Sequence, residues 1–253
     1  MVFKCMGRIP LFFVRSDVLA AGESLFELGR DEAAHCRVRR IAVGTRIALT
    51  DGRGLGADAV VCYVGRKSVR VELERVFETS DDRVPVELVC SIIKRERMNW
   101  AISKAAEAGV RRIHPVYSRY SVVSQNSRRD IARVERWKKL CVEALKQSGG
   151  NFVTFVSHPV SLENLLDSMD SASSGVVLAR DAGMSMNSAW HQQGRRLPLV
   201  VFIGPEGGFS TEELEMFREK GFSEASLCRR ILRSETSVAV AAVLAGQVVG
   251  EQA

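Results

Sequence analysis

Two short segments near the C-terminus carry residue types that can do chemistry. The first is Gly204-Pro205-Glu206-Gly207-Gly208, a turn whose glycines let bare backbone lie close to another molecule. The second is Leu227-Cys228-Arg229-Arg230-Ile231-Leu232-Arg233-Ser234-Glu235-Thr236, a basic loop that ends beside a carboxylate. Together they offer backbone donors and acceptors and guanidinium groups to one small ligand. An ordinary strand-turn-helix connection, with glycines serving the turn alone, accounts for the same spacing.

The elements that must position these segments are legible on either side. Residues 199–203, LVVFI, form an apolar, β-branched run between Pro198 and Gly204, the pattern of a buried parallel strand. Ser210 and Glu213 have the spacing of a capping box, so a helix starts there. A short strand is expected over 225–227. Ser234 is then placed to cap a last helix whose body, 238–249, is small and apolar. Two strand ends, each followed by a loop and a helix start, predict a crevice at the carboxyl edge of an α/β sheet, where such sheets hold ligands. Neither common nucleotide motif fits. A dinucleotide fold places its glycine loop after an early strand, and a phosphate-binding loop needs a lysine that Gly208-Phe209-Ser210 lacks.

GPEGGFS, followed by LCRRILRSET and an Ala/Val helix, resembles the SPOUT class of RNA methyltransferases. More narrowly, it is similar to the bacterial 16S ribosomal RNA uridine-N3 methyltransferase family, whose pattern is GPEGG(F/L)S and LG-x-RILR-TET. Cys228 stands where that family usually has glycine, and Ser234 where it has threonine. The resemblance implies an α/β fold with a trefoil-knotted parallel sheet and flanking helices, behind a smaller PUA-like β-barrel. It implies S-adenosylmethionine as cofactor, held by Leu178, Ile203, Gly204, Pro205, Glu206, Gly207, Gly208, Leu227, Cys228, Arg230, Ile231, Leu232, Arg233 and Thr236. Uracil N3 must lose a proton during transfer, so a base or an anion-stabilising cation is required. Glu235 is the first carboxylate expected there, Glu206 the alternative and Arg233 the cation, although an Arg233–Glu235 pair that only fixes the loop explains both residues. The resemblance also implies a homodimer acting on 16S ribosomal RNA in the small subunit. Its rivals are another SPOUT activity, on a tRNA ribose 2′-oxygen or guanine N1, and a non-catalytic RNA-binding protein.

The 253 residues, 46% of them hydrophobic, suffice for one large domain or two small ones. A β-rich domain is expected over 1–77, with strands at 46–50, 57–64 and 68–73 and a turn at Asp51-Gly52-Arg53-Gly54. Before them, Asp31 is placed to cap a helix ending at Arg37, Arg39 and Arg40. Residues 78–85 read as a linker, and 86–253 as the second domain. There, 86–93 is a strand, a helix runs from Met98 to Gly109, 133–145 is a helix, and 180–198 is loop-like.

The chain carries a net charge of +6. Residues 94–139 hold thirteen Lys or Arg against four Asp or Glu, a net +9, which leaves −3 for the rest. That concentration suits a polyanion. Arg8, Arg37, Arg39, Arg40, Lys94, Arg95 and Arg97 are the expected RNA contacts. Gln147 and Asn151 join them on the family's EQ-(S/C)-GRN pattern, from which Lys146 and Gly150 depart. Six cysteines without a CxxC pair, and four histidines without ligand spacing, predict reduced thiols and no metal. No apolar run is long enough for a bilayer, so a cytoplasmic protein is expected.

Overall fold

The structure, a computed structural model, describes residues 9–21, 24–65, 68–123, 125, 127–169 and 174–250. Arg8 lies outside them. The chain forms two compact units, Met1–Asp82 with Leu145–Val153, and Arg83–Ala144 with Thr154–Ala253.

The smaller unit contains β1 (Leu11–Phe13), α1 (Ser16–Ala20), β2 (Leu25–Glu27), α2 (Arg30–Val38), β3 (Arg46–Thr50), β4 (Leu55–Val64) and β5 (Val69–Glu78). Its sheet runs in the order β1-β3-β4-β5-β2, antiparallel except for the β1–β3 pair. Alternate residues of β3 and β4 (Ile47 and Leu49; Ala57, Ala59 and Val61) point into one core with Phe12, Leu19 and Cys36. Gly29, not Asp31, is the N-cap of α2, and the short strand β2 precedes it. Strand β5 continues five residues past the expected end because β4 starts at Leu55 and pairs out to Glu78.

The DGRG turn joins β3 to β4. Asp51 Oδ1 accepts the amides of Arg53 (2.8 Å) and Leu55 (3.0 Å). A β-carbon on Gly52 would lie 2.5 Å from Val153, and one on Gly54 2.5 Å from the Phe152 ring. The turn is therefore packed against the segment 145–153, which a linear cut at 78–85 assigns to the other domain. The Asn151 carbonyl accepts from the Gly54 amide at 3.1 Å. Lys146 is buried nearby, its Nζ 2.8 Å from Glu32 Oε1. The lysine that departs from the family pattern thus compensates a buried carboxylate of α2.

The larger unit contains β6 (Val84–Ser91), α3 (Arg95–Glu107), β7 (Val110–Tyr117), α4 (Ser127–Ser148), β8 (Phe155–Val156), β9 (Val160–Ser161), α5 (Leu162–Ser168), β10 (Ser174–Leu178), α6 (Met186–Gln192), β11 (Leu199–Ile203), α7 (Thr211–Glu219), β12 (Ser223–Ala225) and α8 (Ser234–Gly250). The last turn of α4, from Leu145, counts with the smaller unit. Every pairing is parallel, in the order β12-β10-β11-β6-β7-β8, with β9 also on β7. All of β11 is buried, as a central parallel strand covered on both faces requires. Phe202 packs with Phe217 and Phe222 under α5 and α7, while α3 and α8 pack on β6, β7 and β11. Helix α8 contributes Val238, Ala241, Ala242, Ala245 and Val249, one stripe at helical spacing.

Four expectations shift here. The connection before β6 is 79–83, because Pro85 lies within the strand, where a register irregularity on the β7 side accommodates its missing N–H. Helix α4 begins at Ser127, so Arg128 and Arg129 are helical. Residues 186–192 form α6, with Ser185 as its cap and the Trp190 ring buried; polar composition had masked it. Strand β12 lies two residues before the expected 225–227.

Two outcomes check the buried ion pairs. Lys146→Met strands the Glu32 carboxylate and lowers stability by about 3–5 kcal/mol in urea unfolding, and adding Glu32→Leu recovers most of the loss. Glu87 Oε2 meets His114 Nε2 at 2.8 Å. Burial pushes the Glu87 carboxyl up, but the hydrogen bond and charge of His114, with Arg112 and Arg111, outweigh it and hold its pKa low. Its contribution is therefore complete above the ordinary glutamate range and is lost as pH falls through the lowered folded value. Glu87→Gln costs about 1–2 kcal/mol at neutral pH and flattens the acid limb of the stability profile, as measured by unfolding at stepped pH.

Candidate active site at the carboxyl ends of parallel strands

Strands β10, β11 and β12 end side by side, and the loops leaving them enclose a cavity of about 590 Å³. One wall is 203–209, leaving β11; a second is 178–181, leaving β10; the third is 224–232, running from β12 toward α8. The volume is that of a small-molecule site.

The β11 turn is tight. The Gly208 amide donates to the Pro205 carbonyl at 2.9 Å, and Gly208 has φ +73°, which favours glycine. A β-carbon on Gly204 would come within 3.1 Å of the Gly208 carbonyl carbon. Ser210 then caps α7, and Glu213 completes the box. The same Glu213 carboxylate accepts the Arg119 amide at 2.8 Å, tying the loop after β7 to the start of α7. In that loop, Tyr120 lies against Gly207.

The two chemically promising segments meet. The Ser234 hydroxyl donates to the Gly204 carbonyl at 2.7 Å. Ser234 is therefore the first residue of α8 and a tie to the β11 turn, rather than the side-chain cap expected for it. Between them, Cys228 Sγ donates to the Arg230 carbonyl at 3.1 Å, so the residue that replaces the family's glycine adds a contact within the loop.

Leu178, Ile203, Gly204, Pro205, Glu206, Gly207, Gly208, Leu227, Cys228, Arg230, Ile231 and Leu232 all line the cavity. Arg233 and Thr236, expected with them, do not. Gln147 and Asn151 also lie off its walls, in the segment packed on the DGRG turn. Arg180, Asp181, Ser226 and Ser237 line it and were not foreseen. Leu178 was the available signal, since the residues after a third parallel strand must reach the same edge.

The carboxylates are arranged differently from the expected Arg233–Glu235 pair. Arg97, in the first turn of α3, donates from Nη1 to Glu206 Oε1 at 2.9 Å and stands 3.7 Å from Glu235 Oε1. One guanidinium thus lies between both candidate carboxylates, and Arg233 is exposed. Glu235 is 13% exposed at its side chain, and its Oε2 is buried without a hydrogen-bond partner. Lys94 and Arg95 are exposed before Arg97; Arg37, Arg39 and Arg40 are exposed at the end of α2.

The larger unit's fold and cavity define an α/β protein with an all-parallel sheet and a small-ligand site against glycine backbone. The model of the RNA methyltransferase domain matches residues 80–246. A ribosomal RNA small subunit methyltransferase E from Mycobacterium bovis is 30% identical over 236 residues, covering 91% of this chain and 88% of that protein. The crystal structure of a ribosomal RNA small subunit methyltransferase E from Neisseria gonorrhoeae, bound to S-adenosyl methionine, is 26% identical, with a TM-score of 0.83 over 95% of this chain and 98% of that one. A Legionella pneumophila methyltransferase in complex with the same cofactor is 27% identical, with a TM-score of 0.81 over 95% and 98%. The chain belongs to the RNA methyltransferase family and, within it, to the group of ribosomal RNA small subunit methyltransferases E.

Removing the tie between the two loops has a measurable cost. Ser234→Ala lowers the unfolding free energy by about 1 kcal/mol, read by thermal denaturation, because the half-buried Gly204 carbonyl loses its donor.

Proposed function

We propose that this chain is an S-adenosylmethionine-dependent methyltransferase that modifies uracil N3 of one uridine in 16S ribosomal RNA. The observation that carries the reading is the Ser234–Gly204 junction, which brings the glycine turn and the basic loop onto one cavity in a chain whose relatives are ribosomal RNA methyltransferases.

The cavity's own features fit the cofactor. Bare backbone at Gly204, Gly207 and Gly208 offers donors and acceptors to polar groups. Ile231 is 72% exposed yet lines the wall, which gives a flat ring an apolar face to cover. Ile203, Leu227 and Leu232 complete that face, and Leu178 closes the side toward β10. When bound, the cofactor supplies an activated methyl group; the protein aligns the base with it and controls charge.

Glu206, in the cavity wall, and Glu235, beside it across Arg97, are the carboxylates proposed to take the N3 proton. Arg97 between them holds their geometry and keeps negative charge tolerable at the cavity mouth. Arg233, exposed on the same loop, is the cation available to the uracil anion.

The same reading extends to the architecture. Return of the chain from edge strand β12 to α8, packed on β6 and α3, supports a trefoil knot. The five-stranded sheet of the smaller unit supports a PUA-like RNA-binding barrel, with Arg37, Arg39 and Arg40 at its surface. Trp100 on α3 and Val243 on α8, 44% and 52% exposed, support a homodimer through those helices. Among the described residues no helix is long and apolar enough to cross a membrane. A ribosomal substrate supports a cytoplasmic location.

Calorimetry with S-adenosylmethionine is expected to give one site per chain, abolished by Gly208→Val. Mass mapping of small-subunit RNA from a strain lacking the protein should show one uridine short of a methyl group, restored by the unaltered chain. Glu235→Gln is expected to slow transfer at least tenfold with cofactor affinity retained. Absence of cofactor binding, or a gain of methyl at ribose or guanine instead, would overturn the assignment.

A further inference from the structure

A second cavity, of about 280 Å³, opens where the chain leaves β6. Its floor is apolar, built from Ile92, Ile93, Met98 and Trp137, while Arg129, Arg133 and Arg136 of α4 face it together with Arg95 of α3. None of its lining residues belongs to the first cavity.

Two of these guanidiniums have carboxylates close by and a third bonds to a neutral amide. Arg133 donates to Asp130 Oδ1 at 2.7 Å and to the Tyr117 hydroxyl at 2.8 Å. Arg95 has Glu96 at 3.8 Å. Arg136 instead donates from Nε to the neutral amide oxygen of Asn99, at 3.1 Å. Burial, and then the neighbouring charge of Arg95, lower the pKa of Arg136; Arg133 adds to this and Glu96 opposes it. Guanidiniums crowded over an apolar floor favour a ligand that brings negative charge and a flat ring. Trp137, part of the floor, also carries a buried indole N–H without an acceptor.

Two structural links join this cavity to the first. Arg95 lines the second cavity, and Arg97, two residues on in the same helical turn, bonds to Glu206 of the first. The loop after β7 places Tyr120 against Gly207 and then Val123 in the second wall. The two cavities are thus lined from the same helix start and the same loop.

We propose that this cavity seats a neighbouring nucleotide of the single-stranded RNA substrate, its phosphate on the Arg129–Arg133–Arg136 wall and its base over the Ile92–Ile93–Met98 floor. Guanidinium forks suit phosphate oxygens, and sequence-tolerant base contacts of this kind are how single strands are held. The inference deepens the methyltransferase reading and rests on it for the identity of the strand.

The test uses the full chain and a short uridine-rich RNA carrying a fluorophore. The double variant Arg129→Gln with Arg136→Gln is expected to bind this RNA at least tenfold more weakly, with the salt dependence flattened by about one unit of slope. Its affinity for S-adenosylmethionine should stay within twofold. Free inorganic phosphate at equal phosphate concentration should compete poorly; if it competes as well as RNA, the cavity is a general anion seat and the proposal fails. With the unaltered chain, a 4-thiouridine version of the RNA should crosslink to peptides spanning 92–98 or 123–137, and crosslinks confined elsewhere overturn the proposal. So does unchanged RNA affinity in the double variant, including the case where only its mass in solution changes, which makes this face a contact between chains. If ribosomal RNA gains no methyl group while the crosslink and the tenfold loss persist, the catalytic reading fails and the nucleotide seat stands.

Discussion

Every strand of the larger sheet runs in the same direction, and the site depends on that constraint. A parallel sheet gathers all its carboxyl ends on one edge, so loops distant in sequence are delivered there together. Residues 178–181, 203–209 and 224–232 share one cavity for this reason. Edge placement alone would leave the loops independent. The hydrogen bond from Ser234 to the Gly204 carbonyl makes the entry to α8 part of the β11 turn. The buried stripe of α8 then anchors that entry on β6 and β11, so the cavity wall inherits the rigidity of the core.

Charge is handled in two contrasting ways. In the smaller unit, Lys146 and Glu32 are both withdrawn from water, and their pairing offsets a desolvation that neither could bear alone. At the cavity, Arg97 and Glu206 are each about one-third exposed, so their 2.9 Å bond is screened and easily exchanged for bonds to a ligand. The first arrangement suits a fixed structural join, and the second suits a site whose charges must regroup when substrate arrives.

Much of this was legible in the sequence. Strand β11, the capping box at Ser210 and the glycine turn were marked by local chemistry that tertiary structure had no reason to override. The two ends of the cavity could be paired because both follow strands. What stayed hidden was non-local. Nothing near Glu235 in sequence points to Arg97, which reaches it from the far side of the domain's chain. Gln147 and Asn151 read as substrate contacts because they match the family's EQ-(S/C)-GRN pattern. The residues beside them, Phe152 and Val153, pack on the DGRG turn, to which the Asn151 carbonyl also bonds, and the buried partner of Lys146 lies in α2. Helix α6 was missed because it is only seven residues long: Met186, Ala189 and Trp190 share its buried face, but one such group among polar neighbours is too short to stand out as a period.

The excursion of 145–153 has a consequence for how such a molecule can come apart. The backbone passes between the units at 82–83, again at 144–145 and once more at 153–154. A nuclease of the gene, or a protease of the product, that cuts once near residue 83 leaves the first fragment without the stretch that covers Gly52 and Gly54. The smaller unit is thus not a detachable module bolted to an enzyme. Recombination that swaps it for another must exchange two separated stretches of gene, and the tail of α4 must come with them.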